Sequence, residues 1–244
     1  MAVVEKTIDI LGDEAFSAWL LSKNHQEGWP VDIYDEVVPS LCQYAMYKLG
    51  GVQSVKFTRV TQCNAYSMAN CNDLVSVDLP ACTSFADNVL RSCSHLTTLI
   101  LPELQSVGQY CFTYCVALEE INLPKLTSAA SAGVFQECTS LRTVILPSLK
   151  TMGNAMFHGC SSLERIDLPS IESIRSNVFT ASVEVINLGP NIASISSDAF
   201  SRTQAGVVIN LPVAEGVISG APWGAPDAVI NYEVPYSGDV PIPT

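Results

Sequence analysis

Nine cysteines stand among the 244 residues, and five of them, Cys71, Cys93, Cys115, Cys138 and Cys160, recur at steps of 22 or 23. Thiols at a fixed spacing can ligate a metal, pair as disulfides or act as nucleophiles. Each chemistry makes its own demand. A closed zinc site wants tightly spaced Cys/His pairs, and there is no Cys-x-x-Cys and no Cys/His group with that spacing. Complete pairing within one chain needs an even count, and nine is odd. A nucleophile needs a base, but His25, His95 and His158 fall at three different places in the repeat. Cys93 lies near His95 in sequence, yet a buried cysteine is inert. The place of the recurrent cysteine is taken in other units by Leu49, Ser182 and Thr203, an exchange that no metal ligand tolerates. Cys82, Cys63 and Cys111 likewise stand where other units have Leu104, Val107 and Val89. Eight cysteines therefore read as inward free thiols packing as small hydrophobes, and only Cys42 sits at a turn position without an apolar rule. A bridge between adjacent coils, about 5 Å apart, is the alternative, although equivalent side chains point the same way. No catalytic residue, cofactor or metal ligand is expected, and the repeated Asp and Glu read as a solvated face.

The elements that carry these thiols repeat with them. Leu-Pro falls at Leu79, Leu101, Leu123, Leu146 and Leu168; Leu188 and Leu211 continue the series and Phe57 begins it. A second ladder runs through Met46, Met68, Leu90, Phe112, Phe135, Phe157, Phe179 and Phe200. Before each Leu-Pro the chain alternates, as in Ile121 and Leu123 or Ile166 and Leu168, which reads as a short strand ended by a proline that has no N–H to offer. The spacing from Leu104 to Val107 to Cys111 and Phe112 predicts a turn or short helix on the opposite side. One such unit cannot bury its apolar face alone, and stacked units can. The expected fold is an α/β repeat solenoid, right-handed, of about eight coils of 22–23 residues with one parallel sheet, on the order of 40 Å long.

The strings "FQECTSLRTVILP" and "FHGCSSLERIDLP" resemble the BspA-like leucine-rich repeats of bacterial and phage proteins, over residues 37–212. The resemblance implies a non-enzymatic leucine-rich repeat module for adhesion or recognition at surfaces. Residues 10–16, "ILGDEAF", look like a fragment of the same repeat, and Met46, Met68 and Leu49 make the early units degenerate.

Residues 1–36 read as an N-terminal cap, with Phe16, Trp19, Leu20 and Lys23 on one helical face, Asp13 as N-cap and Gly28 beyond the end. Residues 213–232 read as a C-terminal cap and residues 233–244 as an extended Pro-rich tail, loose or docked on a neighbour. The string "APWGAPDAVINY" is similar to endings of leucine-rich-repeat proteins encoded in prophages of gut bacteria. The start has acids at Glu5 and Asp9 and no signal-peptide pattern, which places the protein in a phage particle or the cytoplasm first, and at a cell surface second if a signal was removed.

Twelve Lys and Arg face 24 Asp and Glu, and the charge of -12 without a basic cluster argues against nucleic acid. No apolar run approaches the ~20 residues of a membrane span, so membrane insertion is not expected. Binding is expected on the outward sheet positions: Ser76, Asp78, Thr98, Ile100, Glu120, Asn122, Thr143, Ile145, Arg165, Asp167 and Asn187. This weakly charged mixture, with isoleucines among short polar residues, suits a protein or glycan on a surface. The alternative is a structural piece that self-associates through caps and tail, so an oligomer is allowed.

Overall fold

In a computed structural model the described residues are 2–5, 31–35, 39–129, 131–180 and 182–239. The helical pattern expected from Asp13 to Gly28, with Phe16, Trp19, Leu20 and Lys23 on one face, lies outside them. The alternating segments before each Leu-Pro form the front strands: Val52–Phe57, Ser76–Asp78, Thr98–Ile100, Glu120–Asn122, Thr143–Ile145, Arg165–Leu168, Val185–Leu188 and Val208–Asn210. Ala2–Glu5 and Val31–Asp35 extend this face at one end, and Val229–Asn231 at the other. The front strands run parallel, in hydrogen-bonded runs of five, two and four. Equivalent residues pair across the stack, as in Ser54–Ser76–Thr98 and Asp167–Asn187–Asn210–Asn231.

The opposite side is a second parallel sheet of eight two-residue strands, from Ser40–Leu41 to Ser194–Ile195. Each begins with an outward residue, usually Ser or Thr, and ends with a buried one such as Leu41, Phe85 or Ile174. The solenoid predicted from the repeat is therefore formed, but its helical component is not: among the described residues there is no helix. The reason lies in the backbone bonding of the turns that follow. The N–H groups of Tyr44, Met46 and Lys48 donate to the carbonyls of Ala65, Ser67 and Ala69 in the next coil. The alternate residues Ala45, Tyr47 and Leu49 donate locally to Cys42, Tyr44 and Met46, three positions back. Half of the donors are thus committed across coils and cannot build an i to i−4 ladder. Tyr44 and Lys48 adopt left-handed backbone (φ 61° and 58°), and the pair recurs at Tyr66 and Asn70, Asn88 and Ser92, and Tyr110 and Tyr114.

One continuous core fills the space between the sheets. The rings of Phe112, Phe135, Phe157, Phe179 and Phe200 are fully buried and stack at 5.1 to 6.3 Å, and Trp223 closes the column edge-on to Phe200. The recurrent cysteines are equally buried, and each thiol donates to a carbonyl of the preceding coil: Cys71 to Met46 at 2.9 Å, Cys93 to Met68 at 3.2 Å, Cys160 to Phe135 at 3.1 Å. Ser182 makes the same kind of bond to Cys160 O at 3.0 Å. A small side chain with one proton to donate fits this position, which explains why Cys and Ser exchange there, while Leu49 fills the same place with apolar volume alone. All nine cysteines are free, and Cys42 alone is not buried.

Candidate binding face

The front sheet presents two outward columns. The first runs Ser54, Ser76, Thr98, then Glu120, Thr143, then Arg165, Val185, Val208, Val229; the second runs Lys56, Asp78, Ile100, then Asn122, Ile145, then Asp167, Asn187, Asn210, Asn231. Thr98, Ile100, Glu120, Asn122, Thr143 and Arg165 are exposed; Ser76, Asp78 and Ile145 are partly so. Ile100 is 46% exposed, on the last strand of the five-stranded run. Lys56 and Asp78 are neutralised by each other at 2.6 Å.

Asp167 and Asn187, expected to lie open, do not: they are 5% and 6% exposed. Two features cover them. The first is an amide chain along the sheet. Asn231 donates to Asn210 at 2.8 Å, Asn210 to Asn187 at 2.6 Å, and Asn187 to Asp167 at 2.6 Å, so each side chain both gives and accepts and the carboxylate ends the chain. The second is the tail. After Val229–Asn231 the backbone of Glu233 and Val234 bonds back to Val213 and Leu211. Residues 234–239 then continue extended over the sheet, with Val234, Tyr236 and Gly238 partly buried and their neighbours exposed, the period-two pattern of a strand lying on a surface. The N–H of Asp239 donates to Asp167 Oδ2 at 2.8 Å. Arg165 lies between the two acids, with Nε 3.2 Å from Asp167 and Nη2 3.5 Å from Asp239. Burial and the nearby Asp167 charge push the Tyr236 hydroxyl well above its ordinary value.

Beside Asp239 lies a shallow recess of about 290 Å³, lined by Arg142, Thr143, Ile145, Arg165, Asp167 and Asp239. Among the described residues Arg142 makes no ion pair, so the recess has one committed and one uncommitted guanidinium over an aliphatic floor. Sequence reasoning missed Arg142, Tyr236 and Asp239. It also missed an exposed aromatic group at the turns: Tyr44 stacks on Tyr66 at 5.2 Å with Tyr47 edge-on. The signal that was available was the repeated Tyr at positions where other coils carry Asn or Gly.

Most of the buried thiols are held protonated. Burial pushes Cys71, Cys111, Cys115 and Cys160 up to about 12, and Cys93 and Cys138 well above the usual thiol range. Among the described residues no three His, Cys, Asp or Glu side chains gather as a metal site, and no helix is long and apolar enough to cross a membrane.

Comparison with known proteins places this geometry. The chain is similar in fold to a leucine-rich repeat protein of T. pallidum, at 21% identity and TM-score 0.52, over 84% of this chain and 90% of that one. Weaker likenesses are a leucine-rich cell surface protein of Faecalibacterium prausnitzii (16%, TM-score 0.32, 86% and 79%) and the pneumococcal vaccine antigen PcpA (11%, TM-score 0.39, 87% and 81%). The search of curated proteins found no match. Solenoids of this repeat type are generally non-enzymatic. The BspA type leucine rich repeat region matches in six copies, over residues 31–132 and 105–214, and the chain belongs to that family.

Proposed function

We propose that the protein is a non-enzymatic binding module whose front sheet recognises a protein or glycan at a cell surface, as an adhesin-like or phage accessory protein. The observation that carries this reading is the open stretch of sheet from Ser76 to Ile145. There Ile100 stands 46% exposed among short polar residues, beside a recess whose Arg142 makes no ion pair among the described residues. A face that served only as a solvated wall would favour Lys and Glu over isoleucine. The alternative of self-association through caps and tail draws less support in its tail part, because the tail backbone at Asp239 bonds to the protein's own sheet.

The test is a glycan-array and cell-surface binding screen of the purified protein beside an Ile100→Ala/Ile145→Ala/Arg165→Ala variant. Binding by the wild type that is lost in a variant with an unchanged melting temperature supports the reading. Binding that survives in the variant removes the sheet from it. No binding at all, together with a multimeric mass by light scattering, moves the assignment to a structural assembly role.

A further inference from the structure

We propose that the ligand of the front sheet is an extended peptide, and that residues 233–239 of the tail are its intramolecular stand-in. The inference rests on the binding-module reading and narrows its partner from a surface protein or glycan to a polypeptide strand. What anchors the tail is main-chain chemistry: the Asp239 N–H on the carboxylate of Asp167, a side chain only 6% exposed. A buried carboxylate that already accepts from Asn187 and Arg165 has its remaining acceptor capacity aimed at a passing backbone. Tyr236 lies half-buried on the sheet two places before Gly238. The approach is close: a Cβ there would stand 2.4 Å from the Tyr236 hydroxyl and 2.8 Å from the Asp167 carboxyl carbon, so one of these side chains would have to shift. The Asp239 side chain contributes little, since it is 87% exposed and its contact with Arg165 is long. The site therefore reads an extended backbone, an aromatic residue and a glycine two places on. A sugar offers no main-chain N–H of this kind.

The tether sets the competition. A short flexible connection holds the tail at an effective concentration on the order of millimolar, so a free peptide of the same sequence competes only when its own affinity or local density is high. Surface-displayed copies of a partner strand meet that condition, and a dilute soluble one does not.

The experiment uses the full chain and the synthetic peptide of residues 233–239, EVPYSGD, with blocked ends. Calorimetric titration is run on wild type and on Gly238→Val, whose own tail is displaced. The Gly238→Val protein is expected to bind the peptide at least about tenfold more tightly than wild type does. A peptide carrying Gly238→Val should bind about tenfold more weakly than EVPYSGD, and one carrying Asp239→Asn about equally. Amide exchange at residues 236–239 should be slowed in wild type and fast in Gly238→Val. Equal affinity of both proteins for EVPYSGD, or no binding to a Gly238→Val protein that melts at the wild-type temperature, overturns the proposal. So does a dimeric mass in wild type that Gly238→Val abolishes, which would mean the tail docks on a second copy. If peptide binding is absent while the surface screen still shows binding dependent on Ile100 and Ile145, the peptide assignment fails and the binding-module reading stands.

Discussion

Replacing Phe157 with Ala tests the central packing claim. Its ring is fully buried between Phe135 at 5.4 Å and Phe179 at 6.3 Å, with interplanar angles of 10° and 11°. A buried aromatic side chain removes ~150–250 Å² from water, roughly 4–6 kcal/mol at 25 cal/mol per Å². Alanine keeps part of that and the coil relaxes only partly, so the net loss should be about 3–5 kcal/mol. Phe157→Leu keeps most of the volume and forfeits the ring stacking, at a cost of about 1–2 kcal/mol. The position matters as well as the size. Coils of a solenoid touch only their neighbours, so a cavity at mid-stack weakens the coupling between the halves. Urea unfolding followed by circular dichroism reads both effects: a lower midpoint, and a shallower slope for Phe157→Ala than for Phe157→Leu. A loss below about 1 kcal/mol for Phe157→Ala would mean that the ring column does not hold the stack, and the register assigned here would fall with it.

Thiol titration of the native protein should label Cys42 readily and the other eight slowly, with all nine reacting in denaturant; a native count of several would contradict the buried ladder. Alkaline pH should unfold the protein. Cys71, Cys111, Cys115 and Cys160 ionise near 9.0 when unfolded but at about 12 in the fold, so their contribution is intact below about pH 9 and is lost as pH climbs toward 12. A melting temperature flat from pH 8 to 11 would refute that linkage. Asn210→Ala should cost about 1–2 kcal/mol, because it leaves the buried Asn187 oxygen without its donor; an unchanged thermal midpoint would show that the amide chain is decorative.

The inward half of this structure was legible and the outward half only in part. Leu79, Phe157 and Cys160 have no alternative to the core, and their period announces it. Asp167 and Asn187 sit at positions that the same period makes outward. Part of what covers Asp167 comes from 72 residues further along the chain, in an aperiodic tail. That tail docks through a main-chain N–H and a glycine, neither of which leaves a side-chain signature in the sequence. The absence of helix was hidden for a related reason. The apolar spacing from Leu104 to Phe112 suits a helix or two successive turns equally well, and nothing in the identity of Tyr44, Tyr66 or Tyr110 declares a left-handed backbone. The recess beside Arg142 is built from two neighbouring coils and Asp239 of the tail, so it could not be read from any single unit.

The bonding of the turns has an electrical consequence. In that column the N–H groups of Tyr44, Met46 and Lys48 point toward the next coil, and so do those of Tyr66, Met68 and Asn70, Asn88, Leu90 and Ser92, and Tyr110, Phe112 and Tyr114. The accepting carbonyls all face the other way. In most sheets neighbouring peptide dipoles largely cancel, whereas here they add along the stack as they do along a helix. One edge of the solenoid is therefore a polarised rod, positive toward the C-terminal coil and negative toward the N-terminal one. Its two ends are not interchangeable.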